Sequence, residues 1–128
     1  DLLAELLARV VERVAPDSAA EIAEEIGREY GRELAAEVGL SKDAGFDTAV
    51  TAVAKVLMGV GFETEANPVD RVIVTRFCPF GETASKHPDI VCKLDQGIVA
   101  GLLESANASS VPVVNPHVDH ADDCVTEV

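Results

Sequence analysis

The chain has 128 residues, room for one buried core and not for two; 48% of them are apolar, yet only 4% are aromatic and none is Trp, so Val, Leu, Ile and Ala must build that core. Ten Lys and Arg stand against 23 Asp and Glu, a formal charge of −13 with no basic run, which would repel a phosphate backbone and excludes direct nucleic-acid binding by this stretch. Three cysteines, an odd number, exclude a secreted disulfide scaffold and point to a reducing, cytoplasmic setting, and no apolar run approaches the roughly 20 residues that span a bilayer, so no membrane partner is expected.

Residues 1 to 14 carry Leu2, Leu3, Leu6, Leu7, Val10, Val11 and Val14 at helical spacing, with Glu5 early and Arg13 late as the helix dipole prefers. This stripe either packs in the core, continues a helix from an upstream domain, or meets a second subunit; a homodimer is expected. After Pro16, Ser18 and Glu21 read as a capping box for a second helix that ends near Val38, before Gly39. Ile22, Ile26, Tyr30 and Leu34 are expected to supply its buried bulk. Gly27, Gly31 and Ala35, four apart, are expected to let another helix approach closely, since glycine inside a helix costs about 1 kcal/mol against Ala and needs an offset.

A third helix is predicted over 46 to 59, with Phe46, Val50, Val53 and Leu57 on one face. Residues 62 to 66 and 71 to 77, separated by Asn67-Pro68, read as a hairpin. A short helical turn at 82 to 86 and His87-Pro88 then precede a helix with Ile90, Leu94, Ile98 and Leu102 on its core face and Gly97 and Gly101 as a second small pair. Residues 111 to 114 and 124 to 128 make two closing strands around a polar loop. The expected fold is α+β, helices packed on a small antiparallel sheet built from two hairpins, in the order ααα-ββ-α-ββ.

Cys78 falls at a strand exit, Cys92 in the first turn of a helix, and Cys124 at the start of the last strand. A helix N-terminus favours a thiolate, which makes Cys92 the best single ligand candidate. Spacings of 13 and 31 are wider than those of a zinc ribbon or a ferredoxin, and scattered cysteines are more often packing residues than ligands. His87, His117, His120 and the acids around them are the candidates for a fourth ligand. His117, His120 and Cys124, with the intervening Asp119, Asp122 and Asp123, also have spacing compatible with an independent zinc or nickel site, though a solvated acidic loop explains them as well.

Cys-Pro-Phe at 78 to 80, His87-Pro-Asp-Ile-Val-Cys92, Gly-Leu-Leu-Glu at 101 to 104 and Asp-Cys-Val at 123 to 125 together resemble the effector half of iron–sulfur-sensing winged-helix repressors of the ArsR/DeoR type, which control SUF cluster-assembly operons. The resemblance implies that Cys78, Cys92 and Cys124 hold an iron–sulfur cluster, with 4Fe–4S favoured over 2Fe–2S; apart from the resemblance, thiolate chemistry leaves zinc as the alternative metal, and His87, nearest Cys92 in sequence, is the further ligand candidate. It also implies that residues 1 to 128 are a single sensor domain and that DNA is reached only through an upstream DNA-binding domain. Gly97 to Gly101 has a second likeness, to four-vinyl-reductase-type ligand-binding domains, which implies a pocket between helices and sheet. Catalysis is not expected: there is no Gly-x-Ser-x-Gly elbow, phosphate loop or His-Glu-x-x-His helix, and nothing pairs a cysteine with a base. The expected function is therefore a cytoplasmic regulatory sensor; the alternatives are a module for a small or apolar ligand, a zinc-bound structural domain, and a scaffold that dimerises through its first helix.

Overall fold

The computed structural model describes residues 2–43, 45–106, 112–115 and 124–128. Five helices and four strands follow in chain order: α1 (Leu2–Val14), α2 (Ala19–Val38), α3 (Phe46–Gly59), β1 (Glu63–Asn67), β2 (Val72–Phe77), α4 (Gly81–Lys86), α5 (Pro88–Ser105), β3 (Val113–Asn115) and β4 (Cys124–Glu127). The class is α+β, and its element order matches the one expected from sequence, with the short turn before α5 realised as α4. The two strand pairs join through β2 and β4 into one antiparallel sheet of order β1-β2-β4-β3.

Helix α5 is the element around which the others gather: α2, α3, α4 and β3 all touch it. From Gln96 to Leu103 every residue is buried, so the single core stripe expected for this helix becomes burial all round. On one side it crosses α2 backbone to backbone. A methyl at Gly97 would stand 2.1 Å from the Glu24 carbonyl oxygen, and one at Gly31 would stand 2.4 Å from that of Ile98. Gly27 and Gly101 are equally tight. The four glycines therefore serve packing, and the close approach offsets their poor helix propensity. Across the rim, Glu104 accepts from both Arg28 and Arg32, the latter at 3.0 Å.

On the other side α5 completes a core of Leu34, Val50, Val53, Leu57, Phe62, Ile73, Val99, Leu102 and Leu103. The α3 face foreseen from its spacing is the buried one. Pairing sets the sheet's inner face, because residues directly opposite in antiparallel strands point the same way. Ala66, Ile73, Thr126 and Val114 form one such row, and Thr64, Thr75 and Cys124 the next. Arg71 closes the far end: its Nε donates to the Val128 carbonyl at 3.1 Å, it accepts from the Val128 N–H at 2.9 Å, and its guanidinium lies 4.2 Å over the Phe46 ring.

Two expectations about α2 fail, and one of the readings left open for α1 is removed. Ile22, Ile26 and Tyr30 are not the buried face of α2: they are 39%, 52% and 42% exposed, while the small row Ala19, Ala23, Gly27, Gly31 and Ala35 is buried. The reason is steric, since a crossing this close admits no large side chain. Ser18 sits at the N-cap but makes no side-chain cap bond. With ψ near 1° and Ser18 and Ala19 both donating to the Ala15 carbonyl, a turn leads into the helix and the capping box does not form. Helix α1 buries only Ala8, so its leucines are not core residues.

Gly97→Ala tests the crossing. Alanine gains about 1 kcal/mol of helix propensity but overpacks backbone against backbone, and we expect a net loss of about 2 kcal/mol in urea unfolding. A stability equal to or above wild type would show that the helices can separate without cost.

Candidate thiol site

Beneath β2 and β4, at the N-terminal half of α5, lies a cavity of about 20 Å³ lined by Thr75, Cys78, Ala84, Val91, Cys92, Asp95, Val114 and Cys124. All three cysteines of the chain reach it, and all three are free thiols. They come from three different places in the sequence, each positioned by its own local device.

Cys78 leaves β2 into the Cys-Pro-Phe turn. Phe80 anchors that turn edge-to-face on Phe62, ring centroids 5.7 Å apart, and Pro79 stands over Gly61, where an added methyl would meet it at 3.3 Å. The anchoring presents the backbone N–H groups of Phe80 and Gly81 to the Cys78 sulfur, where they favour its ionised form. Gly81, at φ +53°, then opens α4 and brings Ala84 to the cavity wall. Cys124 opens β4 directly opposite Thr75, so register turns it to the inner face. Val114 is brought in by Gln96, whose Oε1 accepts the Val114 N–H at 3.1 Å and whose Nε2 donates to Glu24 at 3.3 Å.

Cys92 does not receive the activation expected of a helix N-terminus. It is a full turn inside α5, and burial pushes its thiol up to about 11, followed by the unfavourable proximity of Cys124, Asp95, Cys78 and Asp89. Burial likewise raises Cys78 to about 11, the two N–H groups opposing it only in part and Asp95 and Cys124 adding to it. The thiols of Cys78 and Cys92 are thus protonated at neutral pH. A bound cation would reverse that balance, because the same mutual repulsion becomes attraction to a shared positive charge.

Asp95 was not foreseen. Its residue surface is only half-buried, yet its carboxyl lies deep enough that burial alone pushes its pKa up to about 7. The signal was present in Cys92-x-x-Asp95, since residues three apart share a helix face.

His87 is placed elsewhere. It ends α4 and precedes Pro88 at the head of α5, and its Nδ1 pairs with Glu12 of α1 instead of facing the cavity. Its removal from the candidate ligands follows from that pairing. His117 and His120 lie outside the described residues, as do Asp119, Asp122 and Asp123.

Among the described residues no group of three or more His, Cys, Asp or Glu side chains stands ready to hold a metal ion, so binding requires the shared donors to draw together. The donor types suit metals that select thiolate, zinc and iron–sulfur among them. The space suits a single ion, being about that of one water, whereas a cubane of four irons and four sulfides needs the walls to part. Among the described residues, no helix is long and apolar enough to cross a membrane. No protein-family model, curated protein or solved structure matches this chain.

The raised carboxyl and thiols set the pH response of the metal-free chain. Asp95 ionises from about 3.8 when unfolded but only near 7 when folded, so its contribution is intact below pH 4 and is lost as pH rises to 7. A second loss follows between about 9 and 11, where unfolded thiols ionise and the folded ones hold their protons. Urea midpoints across this range should show both steps, with the lower one missing in Asp95→Asn; an identical profile in that variant would show that the carboxyl is hydrated.

Proposed function

We propose that the chain is the sensor domain of a transcription regulator, with an iron–sulfur cluster held by Cys78, Cys92 and Cys124 as its input. The observation that carries this reading is the convergence of those three thiols, from a strand exit, a helix and a strand start, on one cavity. Packing alone gives no reason for thiols 14 and 32 positions along the chain from Cys78 and Cys92 to meet at the same point, and the Cys-Pro-Phe and Pro-Asp-Ile-Val-Cys motifs that suggested a cluster are the segments that build its wall. When bound, a cluster supplies an oxygen- and redox-labile cross-link between elements that are distant in sequence.

The output is a shift of helices around the site, since a ligand that favours one arrangement moves the population towards it. The contacts reach outward: Ala84 lines the cavity, and α4 ends at Lys86 and His87, which pair with Glu5 and Glu12 of α1. Helix α1 in turn exposes Leu3, Leu7, Val10 and Val14, between 54% and 79% each. That surface supports a homodimer and a connection to an attached DNA-binding domain, which would make the acidic domain an indirect partner of DNA. The small cavity favours a second reading, a single zinc ion on the same thiols.

Anaerobic purification with absorption spectra and iron, sulfide and zinc analysis decides between them. We expect a coloured protein carrying iron and acid-labile sulfide, with loading lost in Cys78→Ser and Cys92→Ser. Colourless protein without iron and sulfide after reconstitution overturns the cluster; one zinc per chain without sulfide establishes the second reading. For the dimer, Leu3→Glu with Leu7→Glu should halve the mass seen in sedimentation at micromolar concentration, and an unchanged mass would place self-association on another face.

A further inference from the structure

The site is short of one donor if its three thiols act alone, because thiolate-bound zinc and the irons of a cluster are characteristically held by four protein donors per site. Among the described residues, the others lining the cavity are Thr75, Ala84, Val91, Val114 and Asp95, and of these only Asp95 carries an anionic oxygen. It projects from α5 one turn beyond Cys92, on the same face, so the rigid helix that fixes one thiol also fixes the carboxylate. Among the described residues Asp95 has neither a hydrogen-bond nor an ion-pair partner, and burial is the sole influence on its acidity. A buried carboxyl without a partner is costly and uncommon in native interiors; taking up a proton lowers that cost, and a cation shared with the three thiols would offset it with the carboxylate ionised.

We propose that the Asp95 carboxylate is the fourth ligand of the centre formed by Cys78, Cys92 and Cys124. The assignment rests on the metal-site reading above and holds for a single ion or for one iron of a cluster. An oxygen donor differs from a fourth thiolate in exchanging more readily, so it makes that corner of the site the one open to an incoming small molecule. It also replaces His87, which is committed to Glu12.

Titrating the metal-free protein anaerobically with Co²⁺ tests this without relying on any regulatory activity. Wild type should show thiolate-to-cobalt charge transfer and a four-coordinate visible spectrum. Asp95→Asn should bind about 10- to 100-fold more weakly, as losses around metal sites do. Asp95→Cys should keep binding and gain about one third in charge-transfer intensity, four thiolates replacing three. Without metal, Asp95→Asn should melt higher than wild type, since an unpartnered charge is removed; a merely structural carboxylate would lower both binding and melting temperature. Unchanged affinity and spectrum in Asp95→Asn, with wild type binding normally, overturns the role of Asp95 alone. No charge-transfer band in wild type overturns the metal site and this assignment with it. Failure of both variants to fold metal-free also overturns it, by making the carboxylate a support of the apo fold.

Discussion

The backbone contact between α2 and α5 is the constraint on which the remainder of the structure depends. Two glycines on each helix remove every side chain from the crossing, so the helices meet at a distance that any Cβ would forbid. That contact, braced by Glu104 between Arg28 and Arg32, fixes α5 along its second half. The first half of the same rigid rod carries Cys92 and Asp95. A helix held so firmly at one end gives the side chains at its other end a defined place without any local scaffold.

Against that fixed rod, the remaining walls are assembled from shorter devices. The Cys-Pro-Phe turn is pinned by one aromatic contact and one proline over a glycine. Cys124 is placed by strand register, and β3 is tied to α5 through the single side chain of Gln96. One wall is therefore stiff and the others are lightly held.

Much of the fold was legible because its elements announce themselves by spacing. The α3 face, the β-branched run of β2 and the paired glycines of α2 and α5 each carried a period or a cost that the structure explains. What failed was the choice between two faces of one helix. Ile22, Ile26 and Tyr30 looked like core because they are large, but size is a disadvantage where the backbones nearly touch, and small residues took the buried side. The grouping of the cysteines came from motif likeness, since spacings of 13 and 31 say nothing about a strand pairing that brings Cys124 opposite Thr75. Asp95 was hidden by abundance: in a chain with 23 acids, one carboxylate at the right turn of a helix does not stand out until burial is known. The helix-dipole argument for Cys92 failed for the same reason, as desolvation outweighs a dipole that is strong only within the first turn.

The edges of the sheet limit how two copies of this chain can meet. Outer strand β1 turns Glu63 and Glu65 to solvent, carries a register break between Glu63 and Thr64, and runs into Pro68. The opposite edge, β3, is three residues long and follows Pro112. Like-charged side chains, a break in register and a short strand are the means by which sheets resist edge-to-edge growth into extended assemblies. Strand addition is thereby discouraged at both rims of the sheet, while α1 and the bulky row of α2 hold large apolar side chains exposed on the helices.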